Sequence, residues 1–377
     1  MHFKNILPAL LAAAGLLSAA GPAGAQATAT GTPSQPTAAP QPQAAAKPRV
    51  AILATGGTIA SRGANNLALT DYGLSSGLKP VGIEALVAAV PEIERFATIS
   101  GEQIFNVGSS KLSIDNWLTL AQRANQLLAS GSVDGIVITH GTDTLEETAY
   151  FLNLVVKSDK PVVLVGSMRP STGMSADGPL NLVNAVALAA SREAQGKGVM
   201  VVMNESISGA FGVTKTNTTN VATFKTLNGG ELGYMQNSVP YFIAQPLKRH
   251  TLHSEFDVSG LKALPRVDIN YTTLGSDGVL VDAAVAAGAR GIVNAGVGHA
   301  NMPDATLQRL KAARQQGVAV VVASRVPSGL VTPVGQFTQE GFVSAMMHSP
   351  QKARILLMLA LTRTTDPKEI QRIFDAY

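Results

Sequence analysis

Two short stretches of the sequence place a glycine directly before a threonine, just after a run of apolar residues. Residues 54–61 read ATGGTIAS, and residues 139–147 read THGTDTLEE. Glycine lets the backbone turn sharply and brings main-chain N–H groups close to a ligand. The two loops therefore have the composition of a site for an oxyanion or a carboxylate.

Each loop also has a purely structural interpretation, which stays open at this point. The first loop lacks the GxGxxG spacing of a dinucleotide site, and no Lys-Ser or Lys-Thr pair follows as in a P-loop. Gly56 and Gly57 could form a tight strand exit in which Thr58 only caps a turn. Thr144 and Glu147 have the spacing of a capping box, so the preceding residues could simply begin a helix.

The elements that must position these loops are short apolar strands alternating with amphipathic helices. Near-continuous apolar strands are typical of a sheet buried on both faces, and strand-helix-strand order implies right-handed crossovers. We therefore expect an open, mostly parallel α/β sheet, with ligands bound beyond the carboxyl ends of its strands. The predicted strands are 50–53, 135–138, 162–165 and 199–203, and the predicted helices are 117–128 and 180–190.

The 377 residues are enough for two domains, and the N-terminus has a different character from the rest. Residues 1–25 carry Lys4, an apolar core shorter than the about 20 residues that span a bilayer, and an Ala-Gly-Ala site, which predict a cleaved signal peptide. The remaining predicted segments are a flexible Ala/Thr/Pro/Gln-rich tether (26–47), a larger N-terminal α/β domain (48–242), a linker (243–264) and a smaller C-terminal α/β domain (265–377). In that last domain we predict strands at 267–270, 291–294 and 318–323, and helices at 351–361 and 367–374.

Composition excludes several classes of function. The chain has no cysteine, which removes thiol catalysis, thiolate metal sites and disulfides. Its net charge of +4 is spread along the sequence, so nucleic acid is not an expected partner. The six histidines offer no metal spacing beyond His250 and His253, which we interpret as a solvated pair in the linker. No Gly-x-Ser-x-Gly elbow accompanies His140, which argues against a serine hydrolase.

The two glycine loops resemble the two signature motifs of bacterial L-asparaginases. The similarity runs from residue 50 to the C-terminus, and the predicted signal peptide makes the chain similar to the periplasmic type II branch. Further matching strings are 166–170 (GSMRP), 175–179 (SADGP), 213–219 (VTKTNTT), 295–298 (AGVG) and 324–327 (SRVP).

The resemblance implies an amidohydrolase that converts L-asparagine to L-aspartate and ammonia, with a side activity on glutamine left open. Thr58 would be the nucleophile that forms an acyl-threonine ester. Tyr72, in the polar segment 63–74 that has the composition of a lid, would assist its hydroxyl. Thr142, Asp143 and Lys215 would form a second polar group, in which the lysine paired with the aspartate activates a threonine.

The resemblance also implies how the substrate is bound. Ser109 would hold the α-carboxylate and Asp143 the α-ammonium, which selects a free amino acid over a peptide. At Ser110 the family carries glutamine or glutamate, so the reach toward the amino group is shorter here. The implied substrate-binding residues are Gly57, Ser109, Ser110, Gly141, Thr142 and Asp143.

No metal or organic cofactor is expected, and the resemblance implies a homotetramer with sites near subunit contacts. Two departures affect the part of the site that relatives build across subunits: Gly275 replaces a side chain, and 334–339 lacks a matching glutamate. Another amidase on the same scaffold stays an alternative, as does a non-enzymatic periplasmic amino-acid-binding protein. Capture of an amino acid needs no nucleophile, which favours the hydrolase.

Overall fold

The computed structural model describes residues 46–72 and 80–377, and Ala46–Tyr377 form one compact unit. The predicted signal peptide and nearly all of the predicted tether lie outside the described residues, so both stay predictions, as do the predicted domain boundaries. Among the helices of the described part, none is long and apolar enough to cross a membrane.

The larger of the two main sheets of the described residues confirms the open, mostly parallel α/β arrangement predicted from the sequence. Among the described residues its strand order is β10-β9-β6-β5-β4-β3-β1-β2, parallel from β2 to β5 and antiparallel from β6 to β10. Two further strands, β7 and β8, form an antiparallel pair of their own. The strands are β1 (Arg49–Ala54), β2 (Thr98–Gln103), β3 (Gly135–Thr139), β4 (Val162–Val165), β5 (Val199–Met203), β6 (Ser206–Gly209), β7 (Val213–Lys215), β8 (Phe224–Thr226), β9 (Gly233–Gln236) and β10 (Val239–Phe242).

Apolar side chains explain why these strands lie in the middle of the protein. Every residue of β3, β4 and β5 is buried, because helices cover both faces of the sheet. One of these helices, Ile114–Ala129, begins after Ser113, which forms a capping box with Asn116. The apolar face of this helix carries Trp117, whose ring stacks on that of Phe151 with the ring centroids 5.1 Å apart. The helices are α1 (Ile83–Ala88), α2 (Ile114–Ala129), α3 (Leu145–Val155) and α4 (Gly178–Ala190).

A second, parallel sheet of the described chain has the order β11-β12-β13-β14 and confirms the strands predicted for the C-terminal part. One of its helices, α8, packs both on this sheet and on α3, and so joins the two sheets. The elements are β11 (Val267–Tyr271), α5 (Val279–Ala286), β12 (Gly291–Gly296), α6 (Asp304–Gln315), β13 (Ala319–Ser324), α7 (Gly335–Thr338), β14 (Val343–Ser344), α8 (Pro350–Ala360) and α9 (Pro367–Ala376).

The segment 243–264, predicted as a linker, is packed against both parts of the molecule. Phe256 is buried and lies 5.1 Å from the ring of Tyr377, and the hydroxyl of Ser254 donates to the carbonyl of Leu154. The interpretation of His250 as solvated is wrong. It is buried beside the Gly198 backbone, and this burial lowers the pKa of its ring.

Candidate active site

The loop after β1 depends on two glycines that no other residue could replace without strain. Gly56 and Gly57 have φ of 102° and 88°, a region that side chains disfavour. A Cβ on Gly57 would lie 2.3 Å from the Cα of Gly141, and one on Gly56 would lie 2.6 Å from the Val107 backbone. The chain therefore passes in backbone contact with two other loops and delivers Thr58 beside them.

The loop after β3 makes an equally close approach to the segment around Ser109. A Cβ on Gly141 would lie 2.7 Å from the Ser109 Oγ. Thr144, the residue before α3, donates its hydroxyl to the Ser109 carbonyl at 3.1 Å and makes no side-chain cap to the helix. The capping-box interpretation of Thr144 and Glu147 is therefore wrong, because the threonine side chain joins two loops instead of closing the helix end.

A cavity of ≈ 560 Å³ opens where these loops meet. Its size suits a small molecule rather than a polymer. Ser110 is exposed on the turn beside Ser109 and does not belong to the described lining, so its predicted contact stays a prediction. The lining includes seven of the predicted site residues, namely Gly57, Thr58, Tyr72, Ser109, Gly141, Thr142 and Asp143. It also includes residues that the sequence reasoning missed, among them Pro80, Asn106 and Lys111.

Thr58 lies beside the tyrosine that the resemblance assigned to it. The Thr58 Oγ1 and the Tyr72 Oη are 3.1 Å apart, so either hydroxyl can donate to the other. Thr58 keeps 8% of its surface accessible, and that surface faces the cavity. The interpretation of Thr58 as a turn cap does not describe this contact, because its hydroxyl meets a side chain that lies 14 residues later.

The predicted second polar group also comes together. Lys215, the last residue of β7, donates from Nζ to the Thr142 Oγ1 at 3.0 Å and to the Asp143 Oδ1 at 2.8 Å. Its side chain is only 18% exposed, so it is not a solvated surface lysine. The Asp143 carboxylate is 65% exposed and borders the cavity, which leaves it accessible to a second cation.

Two buried polar atoms beside the cavity have no partner within the described residues. One is the Oγ of Ser109, a residue of the cavity lining. The other is the Nε2 of His140, whose Nδ1 lies 2.7 Å from the Gly141 carbonyl. Burial lowers the pKa of His140 to about 4, so the ring is neutral at neutral pH and supports the loop by donating from Nδ1.

Comparison with known proteins then identifies the family. The family model described as "Asparaginase, N-terminal" matches residues 49–247, and the one described as "Glutaminase/Asparaginase C-terminal domain" matches residues 266–374. The chain belongs to the asparaginase family. The resemblance predicted from the sequence is confirmed at this level.

Relatives of this asparaginase-family chain are similar over most of its length. It is 52% identical to "L-asparaginase 2" of Bacillus subtilis (strain 168), with 86% of each chain covered. It is 49% identical to "L-asparaginase 2" of Escherichia coli (strain K12), covering 86% of this chain and 92% of that one. A solved structure of a probable cytoplasmic L-asparaginase from Campylobacter jejuni superposes with a TM-score of 0.85 at 49% identity, covering 88% of this chain and 100% of that one.

Proposed function

We propose that the protein hydrolyses L-asparagine to L-aspartate and ammonia through an acyl-threonine ester on Thr58. The observation that carries the proposal is the position of the Thr58 hydroxyl. It borders the cavity of ≈ 560 Å³, 3.1 Å from the Tyr72 hydroxyl, and Thr142 of the Lys215 group lines the same cavity. A nucleophile, proton carriers and charged recognition groups thus surround one space.

The first half of the reaction forms the ester. The Thr58 Oγ1 attacks the side-chain amide carbon of asparagine, and main-chain N–H groups of the two glycine loops stabilise the oxyanion of the tetrahedral intermediate. A threonine hydroxyl is a weak nucleophile at neutral pH, so its proton must pass to a neighbour, and Tyr72 is within hydrogen-bonding distance. The C–N bond breaks, and the amide nitrogen leaves as ammonia after it takes up that proton.

The second half hydrolyses the ester, and we assign the Lys215 group to it and to proton transfer. The Lys215 ammonium donates to the Thr142 oxygen, which turns the hydroxyl proton of Thr142 away from the lysine. That hydroxyl can then orient a water molecule or the leaving nitrogen. Water adds its oxygen to the acyl carbon and returns a proton to Thr58, which releases aspartate.

Substrate recognition uses the two charges of a free amino acid, which we assign to one hydroxyl and one carboxylate of the cavity lining. The unpartnered Ser109 Oγ binds the α-carboxylate, and the exposed Asp143 carboxylate binds the α-ammonium. The family description that names glutaminase supports a side activity on glutamine, whose side chain is longer by one methylene. Ser110 retains its predicted role near the amino group.

The proposal also includes export and assembly. The N-terminal pattern of residues 1–25 supports secretion to the periplasm with the signal removed. The resemblance to the type II branch supports a homotetramer, in which Gly275 and residues 334–339 lie in the region that relatives use across subunits. Gel filtration with light scattering of the mature protein tests the assembly, and a monomer at all concentrations would contradict it.

Ammonia release from asparagine tests the activity. We expect Thr58→Ala to lose at least about 10³-fold in kcat while its circular dichroism and thermal midpoint stay unchanged. Thr58→Ser is the matched control, because it keeps the hydroxyl and should retain measurable turnover. Undiminished ammonia release by Thr58→Ala would contradict the assigned nucleophile. Binding of asparagine without any ammonia release by the intact protein would favour the binding-protein alternative.

A further inference from the structure

Glu146, in the first turn of α3, is a buried carboxylate that the proposed chemistry does not use. It lies three residues after Asp143 and is 5% exposed. Its Oε2 accepts the main-chain N–H of Lys215 at 2.6 Å, and its Oε1 accepts the side-chain amide of Gln351 at 2.6 Å. Each oxygen of the buried group therefore has one partner, and one of these partners is the lysine of the candidate site.

A carboxylate is an unexpected residue at this position. The helix α3 is buried almost throughout its length, since α8 covers the side that would otherwise face solvent. Removing a carboxylate from water is unfavourable unless it is hydrogen-bonded and paired with charge. The two hydrogen bonds of Glu146 meet the first condition, and the nearby ammonium of Lys352 meets the second.

Lys352 of α8 supports β7, the strand that ends in Lys215, at the opposite end of that strand. Its Nζ donates to the Phe211 carbonyl at 2.9 Å and to the Val213 carbonyl. The side chain is 2% exposed, and burial lowers the pKa of Lys352 to about 8 against the opposing influence of Glu146 and Glu147. Of two consecutive residues of α8, Lys352 thus binds the segment that ends in Lys215 directly, and Gln351 supports it through Glu146.

The strand β7 needs such support because of its length. It has three residues and pairs with β8 alone among the described strands, so few ladder hydrogen bonds hold it. Lys215 is its last residue and carries a flexible four-carbon side chain. Without a fixed backbone, the ammonium would not stay within hydrogen-bonding distance of Thr142 and Asp143.

We propose that Glu146, braced by Gln351 and Lys352, is a positioning residue that fixes the backbone of Lys215 for catalysis. Residues 142–146 then bind both the side chain and the main chain of Lys215. Thr142 and Asp143 accept hydrogen bonds from its ammonium, and Glu146 accepts one from its main-chain N–H. Through α8 the C-terminal part of the chain sets the geometry of a site built on the larger sheet. The inference rests on the catalytic role proposed above for Lys215.

Three variants of the full chain test the inference by ammonia release. Glu146→Leu removes both hydrogen bonds, and we expect kcat to fall by about 10- to 100-fold, the effect of a small misplacement of a catalytic group, with KM changed less. Glu146→Gln keeps one acceptor for the Lys215 N–H and can pair with a reversed Gln351 amide, so it should restore most of kcat. Glu193→Gln is the control, because Glu193 is an exposed acidic residue whose side chain has no partner in the hydrogen bonds and ion pairs of the described residues. It should leave kcat unchanged.

A double variant separates positioning from a general structural role. If Glu146 acts through Lys215, then Glu146→Leu should lower the residual ammonia release of Lys215→Met by less than twofold. The same fold-loss in both backgrounds would overturn the inference, and so would unchanged kcat in Glu146→Leu. Where Glu146→Leu does not fold, Gln351→Met takes its place: we expect a several-fold loss of kcat that disappears in the Lys215→Met background, and a loss that persists there would overturn the inference.

The two proposals fail in distinguishable ways. Full activity of Lys215→Met would overturn the catalytic role of Lys215 and, with it, the role of Glu146. Strong loss in Lys215→Met together with full activity of Glu146→Leu would overturn the positioning role alone.

Discussion

The Tyr72 side and the Lys215 side of the site are held in place by different kinds of contact. The segment 63–72, which contains Tyr72, is exposed at residues 64–67, and partly buried hydrogen bonds join it to a neighbouring loop. There the Gly63 N–H donates to the Thr172 hydroxyl at 2.8 Å, and Gly63 forms a single bridge with Tyr72. Such uncharged hydrogen bonds each contribute only about 1 kcal/mol net, because the unfolded groups bind water instead. We therefore expect this side of the site to adapt to the substrate.

The Lys215 side depends on buried contacts instead. The Glu146 carboxylate and the Lys352 ammonium are both nearly inaccessible, and they join β7 to α3 and α8. Breaking such contacts would leave charged groups unsatisfied in a medium where that is unfavourable. The proposed nucleophile therefore receives its first partner from an adaptable segment, whereas the second polar group belongs to a fixed core.

Removal of the fixed ammonium should have the largest effect. Lys215→Met keeps the length of the side chain and removes its charge, so we expect kcat to fall by about 10² to 10⁴-fold, as for loss of a general acid or base. Lys225→Met, on the paired strand β8 and exposed, is the matched control and should leave kcat unchanged. Equal effects of the two substitutions on ammonia release would remove the distinction between the two sides.

Truncation of Asp143 should weaken substrate recognition by a comparable amount. Asp143→Ala removes the carboxylate that we assign to the α-ammonium. We expect kcat/KM for asparagine to fall by a factor that corresponds to about 2 to 5 kcal/mol of lost transition-state stabilisation. The control substrate is succinamate, which is asparagine without its α-amino group. Its kcat/KM should fall less, by the part that reflects the lost contact with Lys215. An equal loss for both substrates would exclude binding of the α-ammonium by Asp143.

Removal of the Tyr72 hydroxyl should have a smaller effect. Tyr72→Phe removes the neighbour that we assign to the Thr58 proton, and a positioned proton acceptor contributes about 10²-fold or more, so we expect kcat to fall by about 10²-fold, at the lower end of the range for Lys215→Met. Steady-state kinetics with asparagine measure this. A loss larger than that of Lys215→Met would reverse the proposed order of the two sides.

Acid should lower the free energy of unfolding through His348, a buried histidine that binds α3 on the Lys215 side of the site. His348 donates from Nδ1 to the Ala345 carbonyl at 2.7 Å and accepts the Tyr150 hydroxyl of α3 at 2.8 Å, and burial lowers its pKa to about 3. Below its ordinary pKa of about 6.5, the unfolded chain takes up a proton that the folded protein refuses. The free energy of unfolding should therefore fall as pH drops from about 6.5 toward 4.

Urea unfolding at pH 7 and pH 5 measures this effect. His348→Gln removes the titrating ring and should reduce the difference in the free energy of unfolding between pH 7 and pH 5 by about 2 kcal/mol. His253→Gln, at an exposed histidine, is the control and should leave the pH dependence as in the parent protein. An unchanged slope in His348→Gln would show that the neutral histidine does not set acid stability.

The sequence predicts the strands well and marks two loops that line the cavity, because both features depend on local patterns. Uninterrupted apolar runs predict β1 and β3, and glycine next to threonine marks the loops that follow them. The family resemblance then assigns roles to Tyr72 and Lys215. No local pattern shows that these two side chains meet Thr58 and Thr142, because the paired residues are far apart in the sequence. Their meeting depends on loops brought together by the whole sheet.

Other features of the site were beyond local sequence reasoning for physical reasons. An acidic residue in the first turn of a helix is normally read as favourable to the helix dipole, so Glu146 gave no sign of burial. Its environment is made by α8, which lies about 200 residues later in the sequence. Thr144 was misread for a related reason, because its hydroxyl binds the carbonyl of a distant loop instead of its own helix.

The most direct test of the account is to trap the covalent intermediate. The protein is mixed with asparagine, quenched in acid within the first turnover, digested and analysed by mass spectrometry. We predict an aspartyl ester on the peptide that contains Thr58, present in Tyr72→Phe and absent in Thr58→Ala. An aspartyl adduct on a different residue, or one that persists in Thr58→Ala, would contradict the proposed nucleophile.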